Sequence, residues 1–171
     1  GTNALTGVVG AYLDSIPMLV LSGQVRYDTT ARSTGLGIRA LGDQEFDICK
    51  AVDSMTKYCE MVIDPKKIRY CLEKALFIAQ NGRPGPCWLD IPLNVQGAYV
   101  DTEELEGYDP EEYKKTLPKE VTMDVVDAII EKIKNAKRPV FYAGNGIRIS
   151  GGYDAFCSVM EKLNIPVVTC W

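Results

Sequence analysis

The stretch Met18-Leu19-Val20-Leu21-Ser22-Gly23-Gln24 decides the fold class. Its first four residues form a short, continuous apolar run, the pattern of a parallel strand that is covered on both faces. A helical pattern over residues 2–15 precedes it, and Pro17 ends that helix. The apolar residues of the helix are spaced to share one face, and they are Leu5, Val8, Val9, Tyr12 and Leu13. We therefore expect a helix followed by a buried strand that ends in a glycine loop.

The same alternation of apolar strands and amphipathic helices continues along the chain. Further strands are predicted over residues 58–63, 86–91, 139–143 and 165–171, and further helices over residues 46–55, after Asp64-Pro65, from Thr122 and from Tyr153. Between Arg26 and Gly42 the polar, glycine-rich sequence predicts a long loop without an element of its own. Strands that alternate with helices are typical of α/β folds with parallel sheets.

Two α/β segments are separated by a stretch of different character. Residues 97–120 are acidic, contain Pro110 and Pro118, and lack an apolar period, which indicates an interdomain linker. We therefore predict one domain over residues 1–96 and another over 121–171. Both look partial, because the first begins at a helix start and the second has room for only two strands. The predicted fold class is α/β, with Rossmann-like parallel sheets and flanking helices in two partial domains.

The composition of the 171-residue chain excludes several kinds of function. A net charge of −4 argues against a nucleic-acid surface or a polybasic membrane anchor. The absence of histidine removes Ser–His–Asp triads and His-ligated metal sites. No apolar run reaches the roughly 18 residues of a membrane span, and no signal peptide is recognisable. The six cysteines form no CxxC pair and lie in apolar stretches, so we interpret them as small buried side chains in a reducing cytoplasm.

Ligands of open parallel sheets bind beyond the carboxyl ends of the strands. Three predicted strand ends are Ser22-Gly23-Gln24, Asp90-Ile91-Pro92 and Gly144-Asn145-Gly146. Gln24 would offer a ligand one acceptor and two donors, or it would cap a turn, and the residue itself leaves both open. The Gly144 loop lacks the third glycine of a dinucleotide fingerprint, which favours a turn without a ligand.

Two other polar stretches allow a functional and a structural interpretation. Gly1-Thr2-Asn3 at a helix start would bind an anion or a polar ring through its amides, unless Thr2 or Asn3 simply caps the helix, which these residues favour. Asp43, Glu45 and Asp47 are crowded carboxylates without metal-ligand spacing, and a solvated helix start explains them.

Several segments together resemble thiamine-diphosphate-dependent enzymes of the acetolactate synthase type. The resemblance begins with Gly1-Thr2-Asn3-Ala4-Leu5-Thr6-Gly7, Ala11-Tyr12-Leu13-Asp14-Ser15-Ile16-Pro17-Met18 and Ser22-Gly23-Gln24-Val25. It continues in the same order through Gln44-Glu45, Thr56-Lys57, Gly82-Arg83-Pro84-Gly85-Pro86, Leu89-Asp90-Ile91-Pro92 and Val95-Gln96. Residues 137–145 and Ile165-Pro166-Val167-Val168 are similar to the start of the family's central domain. Nearly the whole chain takes part in the resemblance.

The resemblance implies a three-domain enzyme, of which this chain is the later part of the pyrimidine-binding domain and the start of the central domain. The implied cofactor is thiamine diphosphate with magnesium, held mostly by segments outside this chain, and some relatives also bind FAD. The implied activity is decarboxylation or carboligation of 2-oxo acids, for which the cofactor acts as electron sink. The implied assembly is a homodimer or tetramer, and we expect these 171 residues alone to be inactive.

Few site residues follow from the resemblance. Gly1, Thr2 and Asn3 match the loop beside the pyrimidine ring, and Gln24 matches a glutamine that reaches toward the thiazolium ring and the reacting substrate. The resemblance implies no metal ligand in this chain. Asp43 stands before Gln44 where acetolactate synthases usually have phenylalanine, which leaves other 2-oxo-acid or aldehyde reactions open. Alternatives from other classes are a non-catalytic nucleotide-binding module at Gly144-Asn145-Gly146 and an assembly domain.

Overall fold

The computed structural model describes residues 1–118 and 120–169, in two compact units that comprise residues 1–117 and 118–171. The helices are α1 (Leu5–Asp14), α2 (Ala31–Thr34), α3 (Ile48–Val52), α4 (Ile68–Gln80), α5 (Leu93–Gln96), α6 (Glu111–Lys114), α7 (Met123–Asn135), α8 (Gly146–Ile149) and α9 (Tyr153–Leu163). The strands are β1 (Met18–Gln24), β2 (Tyr58–Met61), β3 (Pro86–Pro92), β4 (Phe141–Ala143) and β5 (Val167–Thr169). The last two residues of the strand predicted over 165–171 lie outside the described residues.

The sheet of the first unit is parallel and has the strand order β1-β3-β2. Met18 pairs with Pro86 and Gln24 with Pro92, so β1 and β3 run in register over their whole length and end together. The second unit contains the parallel pair β4-β5. Parallel strands with flanking helices confirm the predicted α/β class.

Each face of the first sheet carries its own apolar core. On one face, β3 side chains such as Cys87 and Leu89 pack with Cys71, Ala75 and Ile78 of α4. On the other face, Trp88 packs with Val8 of α1 and with residues of α3, namely Ile48, Cys49 and Val52. Alternate residues of β3 therefore serve opposite cores, as the two-residue period of a strand requires.

Helix α1 buries only part of the face that its sequence predicts, because Val8 belongs to the predicted face but Ala11 does not. Val8 and Ala11 are buried and Ser15 follows on the same side, whereas Leu13 is 67% exposed. The spacing of this buried face is i, i+3 and i+7, so it is as regular a helical face as the predicted one. The small side chain of Ala11 lets the helix lie close to the sheet, which periodicity of large apolar residues does not register.

Two further predictions for this region are wrong. Leu21 is 55% exposed, so the described residues do not cover β1 on both faces as predicted. The stretch 26–42 contains a 3-10 turn over Tyr27–Thr29 and then α2. Thr30 caps α2 by accepting a 3.2 Å hydrogen bond from the amide of Ser33. A threonine before a helix is a local start signal, but the glycine-rich composition of the stretch favours a loop instead.

The predicted start of the long helix is confirmed. Asp64 accepts a 3.0 Å hydrogen bond from the amide of Lys66, and Pro65 occupies the first position of the 3-10 turn that leads into α4. Proline suits that position because its missing N–H would have no helical partner there.

The segment after β3 packs back onto α4 through aromatic contacts. The ring of Tyr108 lies 5.4 Å from that of Tyr70 and 6.0 Å from that of Phe77, centroid to centroid. The amide of Tyr108 also donates a 2.8 Å hydrogen bond to Glu73. Residues up to 117 thus form part of the first compact unit, while the functional division of the chain into domains stays a prediction.

Helices α7 and α9 of the second unit keep much of their apolar surface exposed. In α7, Val126 and Ile133 are half-buried, while Val125, Ile129 and Ile130 are exposed. In α9, Phe156 and Met160 are half-buried. The helical stripes predicted from sequence are present, but most of their members are not covered by the described residues.

Candidate active site

The carboxyl ends of β1 and β3 bring four polar or aromatic side chains onto one face of the sheet. Ser22 pairs with Asp90 in the strand register. Gln24 lies two residues beyond Ser22, and Trp88 two residues before Asp90, so all four share a face. This is the face that carries α1 and α3, and it changes from apolar to polar toward the carboxyl edge. A polar patch therefore lies where open parallel sheets bind ligands.

These side chains form one continuous row of hydrogen bonds. The indole Nε1 of Trp88 donates to Ser22 Oγ over 2.7 Å, and Ser22 Oγ donates to Asp90 Oδ1 over 2.6 Å. Gln24 Nε2 donates to Asp90 Oδ2 over 2.9 Å. Each Asp90 oxygen thus has its own donor.

Asp90 is fully buried, with an exposed fraction of 0%. Burial raises the pKa of its carboxyl above the ordinary value, because the charged form loses hydration, and the hydrogen bonds from Ser22 and Gln24 oppose this rise. A buried carboxylate is tolerated where donors satisfy it, and these two donors do so.

Gln24 has partners for both ends of its amide. Besides Asp90, its Nε2 donates to the carbonyl oxygen of Phe46 over 2.8 Å, and its Oε1 accepts from the amide of Val25 over 3.0 Å. The glutamine ties β1, β3 and the loop before α3 together. Gln24 therefore binds nearby backbone groups, as the turn-capping alternative predicts. Its side chain is half-buried and lies at the carboxyl edge of the sheet.

Gly1 lies against the same cluster from the start of the first helix. A Cβ added at Gly1 would come within 3.3 Å of the Trp88 ring and 3.5 Å of Ile48. Gly1, Thr2 and Asn3 are exposed. Neither Thr2 nor Asn3 supplies a side-chain cap to the helix start, so the capping alternative for these residues is wrong. The helix start thus lies beside an edge that continues through Trp88 to Ser22.

The loop before α3 is organised by a carboxylate rather than solvated as predicted. Glu45 accepts hydrogen bonds from the amides of Ala31, Leu41 and Gly42 at 2.6, 2.7 and 3.3 Å. Burial opposes ionisation of Glu45, but these amides outweigh it and lower the pKa of Glu45 below its usual range. Gln44 next to it has a φ of 58°, in the left-handed region. Residues other than glycine rarely adopt this backbone conformation.

Asp47 is the capping residue of α3. Its Oδ1 accepts from the amide of Lys50 over 3.3 Å and from the guanidinium of Arg32 over 3.1 Å. Asp43, by contrast, is exposed. The three carboxylates that the sequence groups together therefore differ in role, since Glu45 and Asp47 are structural.

A cavity of about 430 Å³ opens beside this loop. Its lining includes Arg32, Lys50, Cys49 and Cys59. The Cys59 thiol donates toward the Cys49 carbonyl at 3.8 Å, and its contact with the Cys49 thiol raises the pKa of Cys59 far above the ordinary value, with burial adding to the rise. Such a thiol keeps its proton, which is typical of an unreactive structural cysteine.

Among the described cysteines, the prediction of small buried side chains is confirmed for three and holds in part for two. Cys49, Cys71 and Cys87 are buried and free, and Cys59 and Cys157 are half-buried and free. Cys170 lies outside the described residues.

In the second unit Gly144-Asn145-Gly146 directly follows β4, as the sequence predicts, and Gly146 is the first residue of α8, a helix that the sequence does not predict. An added Cβ at either glycine would meet no atom within 4 Å. Nothing around these glycines makes their lack of a side chain a packing requirement.

Sequence reasoning found Gln24 but missed the residues that hold it. The sequence marks Asp90 and Ser22 only as members of two strand ends, and Trp88 only as a strand residue. One available signal was the single acidic residue within the apolar run Pro86-Cys87-Trp88-Leu89-Asp90-Ile91-Pro92. A charged residue in a buried strand requires partners, and the two-residue period of the neighbouring strand offers Ser22 and Gln24.

Comparison with known proteins adds the family to this geometry. Residues 126–171 match the family model described as "Thiamine pyrophosphate enzyme, central domain". The acetolactate synthase large subunit of Lactococcus lactis is 33% identical over 98% of this chain and 28% of its own length. Acetolactate synthase 2, chloroplastic, of Zea mays is 32% identical over 98% of this chain and 25% of its own length. This chain belongs to the thiamine-diphosphate-dependent enzymes of the acetolactate synthase type. It spans about a quarter of the length of these curated relatives.

A probable acetolactate synthase large subunit of Methanococcus aeolicus is 35% identical over 98% of this chain and 27% of its own length. The similarity to thiamine-diphosphate enzymes thus extends through the first unit, where the strand-end row lies, and is not confined to the central-domain match. No cluster of three or more acidic or cysteine side chains suited to a metal ion occurs within residues 1–118 and 120–169. Within the same residues, no helix is long and apolar enough to cross a membrane.

Other motif residues of this thiamine-diphosphate-enzyme chain have structural partners. Arg83 Nε donates a 2.8 Å hydrogen bond to the Ser15 hydroxyl at the end of α1. The Gly82–Pro86 motif thus anchors the turn before β3 to α1. Lys57, from the Thr56-Lys57 motif, donates to carbonyl groups at the end of α4.

Proposed function

We propose that the complete protein is a thiamine-diphosphate-dependent enzyme that decarboxylates or joins 2-oxo acids, as acetolactate synthases do. The proposal is supported by the family membership and, above all, by the polar row at the carboxyl ends of β1 and β3 that includes Gln24. Gln24 is the proposed catalytic residue of this chain, and Gly1, Thr2, Asn3 and Gln24 are its proposed cofactor-binding residues.

The residues present fit the ring end of the cofactor. Gly1 leaves space beside Trp88 that a Cβ would fill to within 3.3 Å, and the amides at the start of the first helix have no side-chain cap. When bound, thiamine diphosphate supplies an electron sink for the electron pair released on decarboxylation. The residues of this chain would bind the polar ring at Gly1, Thr2 and Asn3 and orient the amide of Gln24 at the reacting end.

The amide of Gln24 is suited to this position because it carries no charge to neutralise. Its oxygen has two lone pairs, of which the amide of Val25 occupies one. A second donor, on the cofactor or on the substrate, would therefore have an acceptor at the sheet edge without disturbing the bonds to Asp90 and Phe46.

Magnesium with the diphosphate, a homodimeric or tetrameric assembly and a cytoplasmic location complete the proposal. They are supported by the resemblance to the family. FAD binding by the second unit is a separate part of the proposal, which the absorbance spectrum of the purified protein would test.

The substrate stays open among 2-oxo acids and aldehydes, because exposed Asp43 replaces the usual phenylalanine before Gln44. The 171 residues alone are proposed to be inactive, which an assay with thiamine diphosphate and Mg²⁺ would test; turnover would overturn this.

The test of the proposed role is Gln24→Ala in the complete polypeptide. The expected result is a fall in kcat/KM for pyruvate of about 100-fold, the cost of losing one preorganised polar contact at a reacting centre. Gln80→Ala is the matched control, since Gln80 is an exposed glutamine at the end of α4, and it should leave kcat/KM unchanged. Wild-type kinetics and wild-type cofactor affinity for Gln24→Ala would refute the assignment.

A further inference from the structure

The side-chain amide of Gln24 has only one orientation that its surroundings accept. Its nitrogen lies between two acceptors, the carbonyl oxygen of Phe46 at 2.8 Å and Asp90 Oδ2 at 2.9 Å. Turning the amide by half a turn would place its oxygen against both acceptors and its NH₂ group against the amide of Val25. All three contacts would then be repulsive, because each would pair two acceptors or two donors.

Of the acceptors around the Gln24 nitrogen, Asp90 is the one that a substitution can remove. The Phe46 oxygen belongs to the backbone, whereas Asp90 contributes a carboxylate, whose hydrogen bonds are stronger than those of neutral acceptors. Asp90 is itself fixed, because its other oxygen accepts from Ser22, which in turn accepts from Trp88. Full burial of Asp90 and Trp88 excludes water as a competing partner.

We propose that Asp90 is a positioning residue that sets the amide orientation of Gln24 and acts on the bound cofactor and substrate through it. The inference rests on the proposed function of Gln24. Ser22 and Trp88 hold the Asp90 carboxylate in place, but neither donates to Gln24. The row thus divides into a supporting part, Trp88 and Ser22, and a part that reaches the site, Asp90 and Gln24.

The experiment is a double-mutant cycle in the complete polypeptide with Asp90→Ala, Gln24→Ala and the double variant. Two quantities are measured for each, namely kcat/KM with pyruvate as the probe 2-oxo acid and the Kd for thiamine diphosphate by equilibrium dialysis. Asp90→Ala should lower kcat/KM by about tenfold and raise Kd severalfold, as coupled polar networks do. In the Gln24→Ala background the further change from Asp90→Ala should fall within about twofold.

Ser15→Ala is the control for a merely structural role. Ser15 is a buried serine outside the row, and the substitution removes the acceptor of a hydrogen bond from Arg83. Thermal stability should therefore fall for Ser15→Ala and Asp90→Ala alike, while kcat/KM of Ser15→Ala stays within about threefold of wild type. An equal loss of kcat/KM in both variants would overturn the proposal, because the loss would then follow from lower stability alone.

The outcomes also separate this inference from the proposed function. If Gln24→Ala leaves both quantities unchanged, the role of Gln24 fails. If Gln24→Ala impairs them and Asp90→Ala does not, or if the Asp90 effect persists without Gln24, positioning alone fails. Should Asp90→Ala not fold, Asp90→Asn takes its place in the cycle. Its carboxamide keeps one oxygen for two donors, so a loss of about fivefold that vanishes in Gln24→Ala is expected, and a persistent or absent loss contradicts the proposal.

Discussion

The ammonium group of Lys57 donates a 2.6 Å hydrogen bond to the carbonyl oxygen of Asn81, the residue that follows α4. It also donates to the carbonyl of Ile78 in the last turn of that helix. Such carbonyls have no intrahelical partner, and a cation near them is further favoured by the helix dipole. A Cβ at Gly85 would come within 3.1 Å of the Lys57 side chain. Lys57 is therefore a helix cap held close to the turn before β3.

Replacing this cap should cost stability without affecting cofactor binding. We expect Lys57→Met to lower the free energy of unfolding by about 1–3 kcal/mol, because two carbonyls lose a charged donor. Urea denaturation measures the change, and the cofactor Kd should stay at the wild-type value. Lys66→Met is the matched control, since Lys66 is exposed. Equal stability of the two variants would contradict the capping role.

Two glycines should respond to alanine with opposite signs. Gly82 has a φ of 65°, and its Cβ would approach Leu117 Cδ2 to 3.0 Å and Tyr113 Oη to 3.1 Å. Gly82→Ala should therefore destabilise the protein by about 1–2 kcal/mol. Gly10 lies within α1 and an added Cβ meets nothing within 4 Å, so Gly10→Ala should stabilise by about 0.5–1 kcal/mol. Melting temperatures that move in the same direction for both would refute this pair of predictions.

The lowered pKa of Glu45 makes part of the stability depend on pH. A carboxyl whose pKa is lower in the folded state contributes stability that is present above its unfolded value, here 4.5, and lost as the pH falls through the folded value. The stability difference between wild type and Glu45→Gln should thus be largest at neutral pH and shrink below pH 4.5.

Asp43→Asn supplies the control for that measurement, because Asp43 is exposed in the same loop. The difference in free energy of unfolding between Asp43→Asn and wild type should change little between neutral pH and a pH below 4.5. Chemical denaturation measures the free energy of unfolding at each pH. If the difference between wild type and Glu45→Gln does not depend on pH, the three amides do not select the charged form of Glu45.

The sequence predicts the elements of this fold better than it predicts their contacts. Asp64-Pro65 marks the start leading into α4 because capping and proline geometry are local. The buried face of α1 cannot be read in the same way, since Val8-Ala11-Ser15 has a helical spacing as good as that of the predicted face, which is Leu5, Val8, Val9, Tyr12 and Leu13. Which face turns inward is decided by packing against β3, a contact between residues far apart in sequence.

The candidate site likewise has one part that the sequence predicts and another that it does not. Gln24 is recognisable because it follows an apolar strand and a glycine, which are local signals. Its partners Phe46 and Asp90 are 22 and 66 residues away, and only the strand register brings them together. The prediction that Glu45 is solvated is wrong for the same reason, because the amides that it satisfies belong to the start of α2 and to the loop after it, whose path the sequence does not specify.

Tyr108 should hold the segment after β3 onto α4, and its loss should loosen that segment selectively. Its ring contacts Tyr70 and Phe77, and two aromatic pairs contribute about 1–3 kcal/mol together. Tyr108→Ala should therefore raise the rate of proteolytic cleavage within residues 97–117 by at least about fivefold, since cleavage follows the population of the open form. Tyr99→Ala is the matched control, because Tyr99 is 98% exposed in the same segment. Equal cleavage rates in the two variants would contradict this role, because contacts that both variants keep, such as the hydrogen bond from the Tyr108 amide to Glu73, would then be sufficient to hold the segment.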